Sequence, residues 1–367
     1  MEDDGIHQSR AAIVISSWDK AKIFICVGSG GVGKTTMASA MALMAARRGK
    51  KVLVLTIDPS KRLAQTLGIE GKTEITKVPG LPNEVALYAS TIDHKKTFDD
   101  FVRRAAQQEE AAHKILNNKL YQQLTTQLSG SQEFSALEKL YAAHESGEYD
   151  LIVLDTPPSK HAMDFLKAPQ KISALFSEGI AKWFRQPKGG LIQKLIYSGT
   201  RQVLKALELM TGSDFVHELA DFFVHIEKWQ GQLEKRTLDF HRLLVSPACH
   251  FCLVTSFDSA KLKEAESFAK EIKKGGYHLK TVILNRAFPE WINDLEEFKD
   301  LDAKEKELHR LYMSLKSYYD QRVKDYAALE KRLPSEVEIL KLPEFSFQIS
   351  DIKSLEKMNT YWKKDER

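Results

Sequence analysis

The sequence contains few cysteines and no long apolar segment. Its 367 residues include only Cys26, Cys249 and Cys252, too few for a disulfide framework, which favours a reducing, cytoplasmic environment. No run of about 18 apolar residues is present, so no membrane span is predicted. Residues 1–6 are acidic and lack the basic and then apolar layout of a signal peptide. These absences predict a soluble cytoplasmic protein.

A strong excess of one charge is also missing. Lys and Arg total 54 against 50 Asp and Glu, a formal net charge of +4, so the composition does not favour nucleic acid as a partner. Hydrophobic residues make up 43% of the chain and charged residues 28%, as in ordinary globular proteins. The length suggests two domains, or one large α/β domain with an insertion.

Short apolar segments alternate with helical segments along most of the chain. The apolar segments are 22–27, 52–57, 151–154, 251–255, 281–284 and 337–342. Continuous apolar runs of this length are typical of strands buried on both faces of a parallel sheet. Helices are predicted at 34–48, 259–273, 302–333 and 352–361. This order predicts an α/β fold with a doubly wound, mostly parallel sheet.

Two long stretches, 95–145 and 160–245, have a helical pattern without a strand signal, and we interpret them as one helical insertion subdomain. The predicted organisation is an N-terminal extension at 1–21, a core at 22–94, 150–160 and 246–367, and the insertion at 95–149 and 161–245.

The helix predicted at 302–333 carries an apolar stripe at helical spacing. Such a stripe predicts that this face of the helix packs into the core. Its members are Leu308, Leu311, Leu315, Tyr319, Val323, Tyr326 and Leu329.

The strongest functional motif is a glycine-rich segment between a predicted strand and a predicted helix. Its first eight residues match G-x-x-x-x-G-K-[ST] in full. Glycines allow backbone N–H groups to approach phosphate oxygens, and the start of the following helix attracts the same anion. Lys34 is predicted to bind the β- and γ-phosphates and to act in catalysis, and the Thr35 hydroxyl to bind Mg²⁺. The predicted nucleotide-binding residues here are Gly28, Ser29, Gly30, Gly31, Val32, Gly33, Lys34, Thr35 and Thr36.

Two carboxylates follow predicted strands. Asp155 closes the segment Leu-Ile-Val-Leu-Asp, and Asp58 follows the segment 52–57. Because the carboxyl ends of parallel strands meet at one edge of a sheet, both residues are predicted to lie near the phosphates and to serve Mg²⁺. A helix N-cap is the alternative role for each, because Asp caps helices well and Pro59 suits a first helical position.

These motifs resemble those of the ArsA-like ATPases, which include the arsenite-pump ATPase and the tail-anchored-protein targeting ATPase. The segments 28–36, 58–63 and 155–161 resemble the P-loop, switch I and switch II of that family, and the similarity runs from about residue 23 to residue 358. The resemblance implies a P-loop NTPase fold of the deviant Walker A type. It also implies an ATP hydrolase that uses ATP with Mg²⁺ and forms a homodimer.

The same resemblance implies roles for individual residues. Asp58 would orient the attacking water and Asp155 would hold the Mg²⁺ shell. Asn285 and Arg286 resemble the segment that reads adenine, with Asn285 hydrogen-bonded to the base. Pro343 lies in a segment that resembles the loop near the base.

The sequence departs from the family at several positions. Ser29 stands where the family carries a lysine that crosses the dimer interface to the partner's phosphates. Lys61 and Arg62 replace the His-Asn of the targeting branch, and Pro157 replaces an alanine, so we interpret the chain as a bacterial side branch. We predict that Lys61 or Arg62 supplies the missing cation; the alternative is that both only raise the local positive potential that attracts ATP.

Three further features have both a functional and a structural interpretation. Cys249 and Cys252 form a C-x-x-C, but no second cysteine pair completes a zinc site, so structural burial is favoured. His161 is interpreted as a solvated or capping residue.

Segment 160–205 holds nine Lys or Arg against two acids. It is either a helical layer with a basic solvent face or an amphipathic surface for an anionic membrane or a hydrophobic client.

Together these features predict an ATPase whose hydrolysis cycle opens and closes a helical subdomain. That subdomain would bind a protein partner or hydrophobic client, with peripheral membrane contact as a further prediction. Two alternatives stay open: a nucleotide-gated scaffold with negligible turnover, and the catalytic subunit of an anion (arsenite) extrusion pump. The missing lysine at Ser29 supports the scaffold, whereas three scattered thiols and a single P-loop disfavour the pump.

Overall fold

The chain divides into two compact units. A computed structural model describes residues 20–57, 62–70, 72–106, 109–118, 121–122, 131–156, 166–167, 230–287 and 303–364. The first unit comprises Met1–Thr91, Ala143–Met163 and Leu244–Arg367, and the second comprises Ile92–Ala142 and Asp164–Leu243.

The first unit is built on a sheet of nine strands within the described residues. In chain order the strands are β1 (Ile23–Val27), β2 (Val52–Thr56), β3 (Thr76–Lys77), β4 (Leu87–Thr91), β5 (Leu151–Asp155), β6 (Cys249–Ser256), β7 (His278–Asn285), β8 (Glu338–Lys341) and β9 (Lys363–Lys364). Across the sheet their order is β3-β4-β2-β5-β1-β6-β7-β8-β9. Only the edge strands β3 and β9 pair antiparallel with their neighbours. The central strands β1, β2 and β5 are buried along their whole length, as their unbroken apolar runs predict.

Helices surround the sheet in the first unit and make up the described part of the second. In chain order they are α1 (Lys34–Arg47), α2 (Arg62–Thr66), α3 (His94–Ala106), α4 (Glu109–Leu116), α5 (Ser131–Glu145), α6 (Gln230–Leu244), α7 (Ser259–Lys274), α8 (Ala303–Arg332) and α9 (Ile352–Asn359). The predicted α/β fold with a doubly wound, mostly parallel sheet is confirmed.

Helix α1, which follows the glycine-rich loop, is buried along most of its length. Its small Ala and flexible Met side chains are buried from Met37 to Ala46, which lets the helix lie close to the sheet. An ion pair between Arg47 and Glu356 and a hydrogen bond from Asn359 Nδ2 to the Ala40 carbonyl (3.2 Å) join α1 to α9. These contacts join the middle and the C-terminal end of α1 to α9.

The second unit has its own aromatic and ionic core. Phe134 on α5 packs against Phe98, Phe101 and Phe240, with ring centroids 5.1–5.7 Å apart. Glu138, one turn further along α5, is buried and accepts hydrogen bonds from arginines of two other helices. Arg104 of α3 donates at 2.6 Å, and Arg236 of α6 donates through Nε and a terminal nitrogen at 2.8 and 2.7 Å. One carboxylate therefore links three helices of this unit.

The apolar stripe on α8 packs into the core only near the end of the helix, so the prediction of core packing along the whole stripe is wrong. Leu308, Leu311 and Val323 are 65%, 59% and 42% exposed, whereas Leu329 is 1% exposed. A helix of 30 residues is about 45 Å long, and the side chains of residues 306–320 in its first half are all exposed or half-buried. Packing begins where Tyr319 and Tyr326 reach the ring of Phe257, which follows β6.

Several predicted features lie outside the described residues. Of the basic segment 160–205, only Leu166 and Lys167 are described. His161, Asp58, Lys61 and Pro157 also fall outside the description, as does the side chain of Arg62. Among the helices that are described, none has the length and apolar character needed to cross a bilayer.

Candidate nucleotide site

The glycine-rich loop connects β1 to α1 and needs glycine at two positions. Gly28 has φ +149°, and a Cβ there would lie 2.2 Å from the Val254 carbonyl oxygen of β6. Gly33 has φ +94° and directly precedes α1. A side chain at either position would strain the backbone or collide with it. The loop therefore packs closely against the sheet, and its backbone turns toward the cavity described below.

The first turn of α1 is open to an anion. Gly33 is the N-cap, and because it has no side chain it makes no capping hydrogen bond to the N–H groups that follow it. Those N–H groups and the positive end of the helix dipole favour a phosphate. Lys34 Nζ donates to the Ser29 carbonyl oxygen at 2.9 Å, and the Lys34 side chain is largely buried. The ammonium group thus lies over the same loop that would hold the phosphates.

A buried carboxylate meets two hydroxyl groups at the carboxyl end of β5. Asp155 Oδ2 accepts a hydrogen bond from Thr35 Oγ1 at 2.8 Å and from Thr56 Oγ1 at 3.0 Å. Asp155 is fully buried and Thr56 is 1% exposed. Thr156, the next residue, donates from Oγ1 to the Cys26 carbonyl oxygen at 2.6 Å, which ties the end of β5 to β1.

Oxygen atoms at this position suit Mg²⁺. The ion prefers hard oxygen ligands and keeps several waters, so one hydroxyl and one carboxylate together with substrate phosphates satisfy it. Thr35 and Asp155 present these two donors within hydrogen-bonding distance of each other. In the part of the chain that the structure describes, no group of three His, Cys, Asp or Glu side chains could hold a metal without other ligands. The donor set therefore fits a phosphate-bound Mg²⁺ rather than a closed protein site.

The end of β7 forms the opposite side of the cavity. Asn285 Nδ2 donates to the Val32 carbonyl oxygen of the P-loop at 2.9 Å, and Asn285 Oδ1 accepts from the Arg286 N–H at 3.0 Å. Arg286 has φ +53°, uncommon for a residue with a side chain. Its Nε lies 4.0 Å from Glu344 Oε1, beside Pro343. The backbone of Ala287 donates to the Leu342 carbonyl at 2.8 Å, which fixes the two loops against each other.

A cavity of 910 Å³ joins these features, large enough for a nucleoside triphosphate. It runs from the P-loop to the loop after β8. Its lining includes Gly31, Gly33, Lys34, Thr35, Thr36, Met37, Gln65, Thr66, Thr156, Asn285, Arg286, Pro343, Glu344, Phe345, Phe347, Gln348, Ile349 and Ser350.

The structure brings most of the sequence-predicted nucleotide residues to this cavity and its floor. Other residues that sequence reasoning missed also belong here, among them Thr56, which donates to Asp155, and Phe345 and Phe347, which line the cavity. Thr56 could have been found from its place two residues before Asp58 on a predicted strand. Phe345 and Phe347 lie two and four residues after Pro343 in the sequence, but only the fold shows that their loop faces the P-loop.

Both cysteines of the C-x-x-C motif are buried in the sheet. Cys249 and Cys252 both lie on β6, are fully buried and form no disulfide. Cys252 pairs in register with Cys26 of β1, and the hydrogen bond between these thiols, together with burial, raises the pKa of Cys26 well above its usual value. Thiols in this environment are packing residues, because neither metal binding nor reactivity is favoured without a thiolate.

Comparison with known proteins agrees with this geometry. The sequence model of anion-transporting ATPases matches residues 21–342. A protein of Aquifex aeolicus that carries the name arsenical pump-driving ATPase 2 is 26% identical over 330 residues, 84% of this chain and 97% of that protein. Another from the same organism, named arsenical pump-driving ATPase 1, is 22% identical over 92% of this chain and 77% of its own length.

A third relative, the ATPase get3 of Aspergillus terreus, is 29% identical over 170 residues, 46% of this chain and 49% of its own length. The match to the family model covers the sheet, the P-loop and Asp155, so the predicted resemblance is confirmed. The chain belongs to the ArsA-like family of anion-transporting ATPases and is an ATP-hydrolysing enzyme.

Proposed function

We propose that this enzyme binds Mg-ATP in the 910 Å³ cavity and uses hydrolysis to move a helical unit that binds a partner. The observation that carries the proposal is the 2.8 Å hydrogen bond between Thr35 and Asp155 below the open first turn of α1. It places a hydroxyl and a carboxylate together at the point where a triphosphate on the P-loop would carry its cation. A homodimer in the cytoplasm, as the family resemblance implies, is part of the same proposal.

Each residue of the site has a definite task in this proposal. Lys34 exchanges the Ser29 carbonyl for phosphate oxygens, and the backbone N–H groups at the start of α1 bind the same oxygens. Thr35 and Asp155 hold the Mg²⁺ shell. The cation, when bound, neutralises and orients the phosphate oxygens. Asp58 is proposed to orient the attacking water, a role supported by the family resemblance.

The chain path supports coupling between the site and the helical unit. Asp155 ends β5, and the second unit resumes at Asp164. A change in the hydrogen bonds of Asp155 therefore acts at the start of the segment that leads into the second unit. We assign partner binding to the basic segment 160–205, which leads into the second unit and whose nine cations and apolar residues suit a hydrophobic client or an anionic membrane surface.

Hydrogen exchange over residues 165–207 tests this coupling. We expect its protection to differ between Mg-ADP and a non-hydrolysable Mg-ATP analogue, because only the triphosphate reaches Lys34 and the Mg²⁺ site together. Lys34→Ala is the control, since it should abolish the difference between the two nucleotides. Identical protection in both nucleotide states of the wild type would contradict the proposed coupling.

A second candidate function is favoured by the names of two relatives. Both Aquifex aeolicus proteins are named for driving an arsenical pump, and one of them aligns with 84% of this chain. Against this, all three thiols of the chain are buried in the sheet, where arsenite could not reach them without opening the core. ATP turnover with and without arsenite separates the two functions. Stimulation by arsenite that survives Cys→Ser substitution at all three positions would favour a pump with a different anion site.

A further inference from the structure

Asn285 contacts the P-loop directly, although the two lie far apart in the sequence. Its side-chain Nδ2 donates to the Val32 carbonyl oxygen at 2.9 Å across a sequence separation of 253 residues. The oxygen of the same amide accepts from the Arg286 N–H at 3.0 Å, which fixes its orientation. The amide packs so closely that a Cβ on Gly33 would lie 2.6 Å from Nδ2.

The bond to Val32 determines the direction of an N–H group in the phosphate site. The Val32 carbonyl and the Gly33 N–H belong to one planar trans peptide and point in opposite directions. A group that holds the carbonyl therefore directs the N–H toward the other side. Gly33 lines the cavity, and its φ of +94° shows that this peptide is held in an unusual conformation. Without a donor on the Val32 oxygen, the peptide between Val32 and Gly33 would be free to rotate.

The amide retains capacity for a second task. A primary amide has two N–H donors and two acceptor lone pairs, and these two hydrogen bonds use one of each. The remaining donor and lone pair are sufficient for a nucleotide base, so base reading and loop support are compatible in one residue.

We propose that Asn285 is a positioning residue for the P-loop, and that it supports triphosphate binding whether or not a base is present. The proposal rests on the proposed binding of Mg-ATP in this cavity. It predicts an effect that a residue serving the base alone would not have, because the bond to the Val32 carbonyl orients the Gly33 N–H in the phosphate loop.

The test compares Mg-ATP with Mg-tripolyphosphate, which lacks base and ribose, by calorimetry on the full chain. Asn285→Ala is expected to weaken tripolyphosphate roughly fivefold, which is the usual effect of one lost hydrogen bond. It should weaken Mg-ATP by at least the same factor, because the bond to the base is lost as well. If Asn285→Ala weakens Mg-ATP but leaves the Kd of tripolyphosphate within twofold of the wild type, the positioning role is wrong. Calorimetry reports the folded fraction separately as the stoichiometry, and Asn285→Ser provides a second variant if the alanine variant folds poorly.

A matched control comes from α9. Asn359 Nδ2 also donates to a backbone carbonyl, that of Ala40 in α1 at 3.2 Å, but Asn359 does not line the cavity, so Asn359→Ala should leave tripolyphosphate binding unchanged. Equal weakening of tripolyphosphate in this control would show that any loosening of α1 weakens phosphate binding, and it would overturn the inference. Failure of the wild type to bind either ligand would instead refute the proposed function itself.

Discussion

Thr35 and Thr56 both donate to Asp155, and substituting each in turn separates an effect on Mg²⁺ binding from an effect on stability. Thr35 and Thr56 donate to the same carboxylate oxygen, at 2.8 and 3.0 Å. Replacement by valine keeps the shape and removes the hydroxyl in both. A hydrogen bond to a buried charged group contributes about 1.5–3 kcal/mol, so each variant should lose a comparable part of its unfolding free energy.

Only Thr35 lies at the start of α1, where its hydroxyl can reach a phosphate-bound ion. We expect Thr35→Val to raise the Mg²⁺ concentration for half-maximal ATP turnover on the order of 100-fold. Thr56→Val acts through Asp155 alone and should raise it about tenfold. Mg²⁺ titrations of steady-state turnover measure both values, and urea unfolding supplies the stability comparison. An equal shift in the two variants would refute the assignment of Thr35 as a direct ligand.

Four further predictions concern the cavity, the helical unit, the sheet and switch I. Lys34→Ala should abolish Mg-ATP binding by calorimetry, because it removes the cation that faces the phosphates; retained micromolar affinity would exclude this site. Glu138→Gln should lower the unfolding free energy by about 2–3 kcal/mol, since it leaves the half-buried Arg236 without its carboxylate, whereas Glu109→Gln in a surface pair should cost under about 0.5 kcal/mol. Burial, aided by the charge of Lys280, lowers the pKa of His250 below its usual value, so stability should fall as the pH drops below about 6.5, and less so in His250→Gln. Arg62→Ala and Lys61→Ala should lower kcat if either replaces the family lysine, and an unchanged kcat with a raised KM would assign them to steering.

The sheet was largely predictable because its central strands are continuous apolar runs. The predicted segments at 22–27, 52–57 and 151–154 agree with β1, β2 and β5 to within a residue or two. The strands that sequence reasoning missed are peripheral. β4 mixes Tyr88, Ser90 and Thr91 with small residues, and β3 and β9 are two residues long. Such strands depend on pairing with a neighbour, which no local pattern records.

The site residues that belong to a short sequence motif could be predicted. The contacts between residues far apart in the sequence could not. The P-loop and the carboxylate at the end of β5 carry their own sequence signals. The bond from Asn285 to Val32 depends on the position of β7 across the sheet, and the exposure of Leu308 depends on how far α8 extends past its neighbours. Periodicity identifies the apolar face of a helix, but it does not show whether a partner element covers that face.

Steady-state ATP turnover by the wild type and by Asp58→Asn tests the central claim most directly. The account predicts Mg²⁺-dependent turnover in the wild type. It also predicts that Asp58→Asn keeps its affinity for Mg-ATP but turns over at least about 100-fold more slowly, because the attacking water is no longer oriented by a carboxylate. Undetectable turnover in both proteins with normal Mg-ATP binding, or equal turnover in both, would contradict the claim that this cavity is the hydrolytic site.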